Sequence, residues 1–210
     1  MNICLHLLPQ SGQNARAWNM MAYDAMNDVD DDVLMVLYAN GDQEAARALT
    51  YRHAPRVLVL SRRMLRDMAE AEDVAQEAML RLWKIAPNWR QGEAKVSTWL
   101  YRVASNLCMD RLRKKSGTNL DDIPEPADDK PSVEATMLSK DRVTALEQAM
   151  QQLPVRQKLA VTLRHIDELS NPQIAQIMDI SVEAVESLTA RGKRTLAGLL
   201  LGQKEKLGLE

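Results

Sequence analysis

The sequence predicts an all-α protein of two small helical domains joined by a flexible tether, and three observations predict it. Aromatic residues make up 4% of the chain and Phe is absent. Met, Leu and Ala must therefore fill the core, a palette that favours helices over a β-sandwich or barrel. Apolar residues recur at helical spacing from Val33 to Lys115 and again from Ser139 to Leu201. Between these stretches, Ser116–Leu138 holds Pro124, Pro126 and Pro131, and its acids against the single Lys130 leave a net charge of −5. Such a segment cannot bury enough apolar surface to offset the entropy of ordering. A length of 210 residues suits two small domains, and 46% hydrophobic with 27% charged residues excludes wholesale disorder.

The expected layout is a loose tail over 1–27, a helical domain over 28–115, an acidic tether over 116–138, a second helical domain over 139–203 and a tail over 204–210. The first stretch has no steady period, and its Met20, Met21 and Met26 leave a later natural start open. Asp28, Asp30, Asp31 and Asp32 form an acidic flank for a helix over Val33–Ala39, where negative charge suits the N-terminal dipole. Breaks are expected at Asn40–Gly41 and around Pro87–Gly92. No run approaches the ~20 apolar residues that span a bilayer, and no Lys or Arg precedes Arg16, so Met1–Pro9 makes a poor signal peptide. A cytoplasmic protein without a membrane segment is the expectation. Cys4 and Cys108 lie far apart, and His6, His53 and His165 stand singly, which gives neither a disulfide framework nor a metal-ligand set. Neither a cofactor nor a metal is expected. Cys108, inside a helix without a neighbouring His, reads as a small buried residue, so an enzyme is the least favoured class.

The overall charge of −2 hides two basic clusters. Arg102–Lys115 and Thr189–Lys206 each carry five basic residues against one acid. Solvated helix C-termini would account for both, and so would phosphate contact. In the second domain Val143, Leu146, Met150 and Leu153, then Leu159, Leu163 and Ile166, read as the buried side of two supporting helices, Pro154 opening the second. Ser170-Asn171-Pro172-Gln173 follows as a helix start with a capping box and a first-turn proline. Asp179-Ile180-Ser181 breaks that helix, and Ser181 can cap a second one over Val182–Leu196. With Ala175, Ile180 and Val185 at the crossing, this is a helix-turn-helix, against the alternative of a plain αα-hairpin. In a DNA-binding motif of that kind the first turns of the second helix meet base edges. Ser181, Glu183, Ala184, Ser187 and Ala190 would then face the groove, with Arg191, Lys193 and Arg194 along the backbone.

In the first domain, Asp67–Lys84 is amphipathic, with Ala71, Val74, Ala75, Ala78, Leu82 and Ile85 as its buried stripe. Its other face carries Asp73, Gln76, Glu77, Arg81 and Lys84, compatible with a solvated face holding a Glu77–Arg81 pair or with a protein-docking face. Thr98–Lys115 buries Leu100, Val103, Ala104 and Leu107 and lines up Trp99, Arg102, Asn106 and Arg113, with Tyr101 beside them. A Trp there can be core or platform. As a platform it suits unpaired nucleic acid, where an aromatic ring stacks a base for ~1–3 kcal/mol. One unit suited to duplex and one to an unpaired strand, on a tether, describe promoter opening driven by binding energy.

These residues resemble a bacterial sigma factor of the extracytoplasmic-function, or group 4, kind. Ala71-Glu72-Asp73-Val74-Ala75-Gln76-Glu77 with Arg81-Leu82-Trp83, and Ser97-Thr98-Trp99 through Asn106-Leu107, carry the likeness, extended by Asp110-Arg111-Leu112-Arg113 and by Leu169-Ser170 through Ile180-Ser181-Val182. The resemblance covers Val33–Lys115 as region 2 and Ser139–Leu200 as region 4 of the sigma-70 family. It implies that Asp73, Gln76, Glu77, Arg81 and Trp83 dock on core RNA polymerase, chiefly the β′ clamp helices, with β as the further partner. It implies that Trp99, Tyr101, Arg102, Asn106, Arg111, Arg113, Lys114 and Lys115, with the loop Trp89–Ser97, capture and melt the promoter −10 element. Ser181–Arg194 would read the −35 element, and an anti-sigma protein would hold the factor inactive. A monomer is expected when no partner is bound.

The chain departs from the family at several positions. Met79, Trp89 and Val96 stand where Phe is usual, Glu186 and Leu188 where Lys and Arg are usual, and Thr189 where Leu is usual. The last change leaves open whether Leu188 or Thr189 faces the core. Val185-Glu186-Ser187-Leu188 with Arg191-Gly192 is similar to the sigma-E-like subgroup of photosynthetic proteobacteria, which implies singlet-oxygen stress and a soluble zinc-dependent anti-sigma partner. An operator-binding repressor and a mimic that sequesters an anti-sigma protein are the alternatives.

Overall fold

The computed structural model describes residues 26, 28–116 and 136–201. The expected N-terminal tail apart from Met26, the tether from Gly117 to Ala135 and the C-terminal tail lie outside the described residues. Among the described residues there are eight α-helices and one short 3-10 turn. Contacts divide the chain into two units, Met1–Cys108 and Met109–Glu210.

In the first unit an aspartate opens each of the first three helices. Asp30 caps α1 (Asp31–Ala39), its carboxylate accepting from the Asp32 N–H at 2.9 Å. Asp42 caps α2 (Gln43–Leu65) through the Glu44 and Ala45 N–H groups at 2.8 and 3.3 Å. Asp67 caps α3 (Met68–Ile85) through the Glu70 N–H at 3.0 Å. Each cap satisfies amides that the first turn leaves without an intrahelical partner. Gly41, at φ 97°, turns the chain between α1 and α2, and Arg66, at φ 57°, ends α2. A 3-10 turn, Ala86–Asn88, and a loop through Gly92 lead into α4 (Val96–Ser116).

α2 packs on both α1 and α3, and the 3-10 turn closes against α1 and α3. Leu34, Met35, Leu49, Val57, Leu60, Met64, Leu82 and Leu100 are almost wholly buried there. Met79 and Val96, two of the positions usually held by Phe, are buried as well. The core thus closes with unbranched thioethers and aliphatic chains, which fill irregular gaps readily. The expected stripe of α3 holds except at its end, where Ile85 is only half-buried. On α4 the expected Leu100 and Ala104 are fully buried, but Val103 and Leu107 are half-buried, while Tyr101, Ser105 and Cys108 turn inward.

The second unit holds α5 (Thr136–Gln151), α6 (Val155–His165), α7 (Asn171–Met178) and α8 (Val182–Leu201). α8 packs on the other three. Two boundaries differ from the sequence reading. α5 begins at Thr136, inside the expected tether, because no Pro or Gly follows Pro131 to stop it. α8 runs on past Leu196 to Leu201, because Leu199 and Leu200 pack on the cluster of Ala149, Met150, Leu153, Val161 and Leu196.

The buried side of α5 also differs. Val143 and Leu146 are 57% and 43% exposed, whereas Ala145 and Ala149 are buried. The small side of α5 faces inward, beside α8, and this leaves the bulkier pair outside. Ile166, past the end of α6, is likewise 42% exposed, while Leu159 and Leu163 are fully buried as expected. Gly192 marks the crossing of α8 and α6: a Cβ placed there would lie 2.6 Å from Val161 Cγ2.

Candidate nucleic-acid interface

On α3 the polar face survives folding. Asp73, Gln76, Arg81 and Lys84 are exposed and Glu77 is half-buried. Arg81 Nε donates to Glu77 Oε1 at 2.8 Å, the expected pair four residues apart. Leu80, 36% exposed, adds an apolar element to this face that charge patterning alone did not single out. Trp83 is half-buried, its ring 4.7 Å from that of Tyr38 on α1, so part of its surface is spent inside the unit.

α4 presents Trp99, half-buried, and Arg102 and Asn106, both exposed. Farther along, Arg111 is half-buried, while Arg113, Lys114 and Lys115 are exposed, with Arg113 donating to Asp110 at 3.3 Å. The cationic end coincides with the helix C-terminus, where the dipole favours it. Tyr101 departs from the expectation: it is only 9% exposed. The buried side of α4 is wide enough to take in 101, 105 and 108 beside 100 and 104, so Tyr101 is a core residue and leaves the exposed row. Trp89 stands edge-on to Trp99, ring centroids 6.2 Å apart and planes at 84°, a favourable aromatic arrangement.

The loop before α4 is tied to the start of α1, and no sequence signal announced it. Asp32 Oδ1 accepts from the Trp89 indole N–H at 2.8 Å, and Asp32 Oδ2 from the Gly92 N–H at 3.3 Å. Asp31 is bound in turn to α2, to Arg52 Nη1 and to His53 Nε2, both at 2.8 Å. His53, 4% exposed, thus has a structural partner in Asp31. Burial of Asp31 pushes its carboxyl up, but the hydrogen bonds and charges of His53 and Arg52 outweigh this and hold it below the ordinary carboxylate value. The carboxylates, Arg52, His53, Lys95 and Ser97 line a polar cleft of about 730 Å³.

In the second unit the turn chemistry matches the residues that predicted it. Gln173 Oε1 accepts from the Ser170 N–H at 2.9 Å and from its hydroxyl at 2.8 Å. Asp179 ends α7 in the left-handed region, φ 55° and ψ 51°, and Ser181 Oγ accepts from the Ala184 N–H at 3.2 Å. Ser181, Glu183, Ser187, Ala190, Arg191, Lys193 and Arg194 are exposed and Ala184 is half-buried, whereas Val185 and Gly192 are buried. Ile174 and Met178, the apolar pair of α7, are buried, and Ala175 and Ile180 are half-buried. The Glu183 carboxyl is held below its ordinary value by its own backbone N–H and the Ser181 hydroxyl, as befits an acid at a helix N-terminus. Glu186 is bonded to Asn171 Nδ2 at 3.3 Å, a tie between the two helices where a phosphate-contacting cation is usual. Leu188 and Thr189 are both half-buried, and the Thr189 hydroxyl oxygen is buried, so both residues line the edge of the core. Slight burial, then Lys193 and Arg164, keep the His165 imidazole below its ordinary value.

Family models for Sigma-70 region 2 and for Sigma-70 region 4 match residues 49–118 and 144–196. The chain is 33% identical over 167 residues to the ECF RNA polymerase sigma factor SigW of Bacillus subtilis, covering 74% of this chain and 89% of that one. The chain belongs to the ECF RNA polymerase sigma factors. The RNA polymerase sigma-H factor of Pseudomonas aeruginosa is 32% identical over 177 residues, with 79% and 91% covered. Two solved structures share the fold: CnrH in complex with the cytosolic domain of CnrY, at a TM-score of 0.62, 23% identity and coverage of 82% and 97%, and Bartonella quintana RpoE in complex with the anti-sigma factor NepR, at 0.54, 17%, 72% and 93%. As a member of this family the sigma factor is a transcription initiation factor. Among the described residues none group to hold a metal ion, and no helix is long and apolar enough to cross a membrane.

Proposed function

We propose that this sigma factor opens promoters with separate surfaces for different states of DNA. The α3 face of Asp73, Gln76, Glu77, Arg81 and the free edge of Trp83 docks on the clamp helices of polymerase β′. Trp99, Arg102, Asn106 and the basic end Arg111–Lys115, with the loop from Trp89, capture the unpaired −10 strand. Ser181, Glu183, Ala184, Ser187 and Ala190 read the −35 duplex, while Arg191, Lys193 and Arg194 contact its phosphates. The observation that carries this reading is the capped helix-turn-helix, whose second helix keeps those residues outward while Val185 and Gly192 are buried. Glu186, spent on Asn171, leaves the phosphate contacts to the later cations.

The factor works in the cytoplasm by binding alone, with no bond-making step, and an anti-sigma protein holds it inactive. Exposed Val143 and Leu146 on α5, and Val33 and Val36 on α1, supply apolar surface for such a partner. Run-off transcription with core polymerase tests the reading. Asp73→Arg or Glu77→Arg should abolish promoter-directed transcripts while the helical circular dichroism stays that of the wild type. Undiminished transcription by both variants would overturn the docking assignment.

A further inference from the structure

α1 lies outside both matched segments, and its acidic start makes connections that promoter reading does not use. The Asp32 carboxylate holds the loop between the 3-10 turn and α4 at two points, the Trp89 indole N–H at 2.8 Å and the Gly92 backbone N–H at 3.3 Å. Gly92 adopts φ 81°, which a residue with a side chain rarely takes, so its amide is aimed by a backbone conformation peculiar to glycine. The neighbouring Asp31 is fixed to α2 by Arg52 and His53, and Arg52 also donates to the Val29 carbonyl at 2.7 Å. Asp32 therefore hangs from a braced helix start. Trp89 passes the constraint on, edge-on to Trp99 at 6.2 Å.

We propose that Asp32 is a positioning residue that holds the loop from Trp89 to Lys95 in order, so that the loop and Trp99 meet the unpaired strand already arranged. The proposal rests on the reading of α4 as the strand-capturing surface. An unrestrained loop must be ordered at the moment of binding, and that entropic cost subtracts from the energy available to melt the duplex. The Arg90–Glu93 pair within the loop, at 3.1 Å, is local and exposed. The device depends on the indole, because a Phe at position 89 would have no N–H to offer Asp32.

The full-length protein, free and bound to core polymerase, supplies the test. Asp32→Ala should speed hydrogen exchange at the Gly92 amide and slow open-complex formation on a duplex promoter, each about ten-fold, the scale of a lost charge-assisted hydrogen bond. Its affinity for core polymerase should stay within about two-fold of wild type, since the α3 face is untouched. Asp32→Asn, which keeps an acceptor oxygen, should recover part of the rate. Trp89→Phe should slow the wild type but add nothing to Asp32→Ala, because the same bond cannot be lost twice. Unchanged Gly92 exchange, equal losses of core affinity and open-complex rate, or additive effects of the two substitutions would each overturn the proposal. If the wild type itself forms no open complex, the reading of α4 fails, and Gly92 exchange alone still decides whether Asp32 orders the loop.

Discussion

The loop-and-helix surface of α4 and the helix-turn-helix of α8, both proposed to meet DNA, are built by opposite means. The approach to α4 is organised by polar bonds between residues far apart in sequence: Asp32 with Trp89 and Gly92, Asp31 with Arg52 and His53. α8 is organised by local caps at Ser170, Asp179 and Ser181 and by a close approach of backbone and side chain at Gly192 and Val161. Charged hydrogen bonds respond to pH and can be released one at a time, whereas a steric fit is insensitive to pH and fails as a whole. On the proposed reading, a loop that receives an extruded strand gains from the first kind of restraint, and a helix that enters a groove as a rigid body gains from the second.

Substitutions centred on three positions would break or sharpen that contrast. The largest effect is expected at Asp31, which serves Arg52 and the buried His53 together. Asp31→Ala should cost about 2–3 kcal/mol in denaturant unfolding, with the loss confined to probes in the first unit. Because the Asp31 carboxyl is held below its ordinary value, its contribution is complete above that value and disappears as the pH falls through the lower, folded-state one. Asp31→Asn should therefore flatten the acid limb of stability, and an unaltered limb would contradict the assignment. Next comes Gly192→Ala, whose Cβ would meet Val161 Cγ2 at 2.6 Å. Overpacking of about 1–3 kcal/mol should outweigh the ~1 kcal/mol gain in helix propensity. Gly198→Ala, on the same helix with nothing within 4 Å, should stabilise instead, and a Val161→Ala partner should relieve the clash at Gly192. The smallest effect is at the turn: Asp179→Ala should lose about 1 kcal/mol more than Asp179→Gly, because only the first places a Cβ in the left-handed region. Equal behaviour of the two variants would mean that the turn does not depend on that conformation.

The same contrast explains what the sequence revealed. Ser170 with Gln173, Asp179 and Ser181 act within three or four residues of themselves, so the turn, both its helix starts and the exposed face of α8 could be read in advance. The polar face of α3 was legible for the same reason, down to the Glu77–Arg81 pair. Asp32 and Trp89 are joined across 57 positions, and no periodicity reports a bond of that reach. Tyr101 and the Val143–Leu146 pair were misplaced because a helix period identifies an apolar stripe but not how widely neighbours cover it. α4 buries Tyr101 beside Leu100 and Ala104, and inward-facing Ala145 and Ala149 turned the larger α5 residues out.

Start-site mapping with core polymerase on fragmented genomic DNA tests the central claim most directly. The account predicts transcripts that begin downstream of two short motifs at constant separation. Ser187→Ala should relax only the upstream motif, and Trp99→Ala should weaken only the downstream one. Starts that lack paired motifs, or the same motif altered by both substitutions, would contradict a molecule that meets duplex and unpaired DNA with different helices.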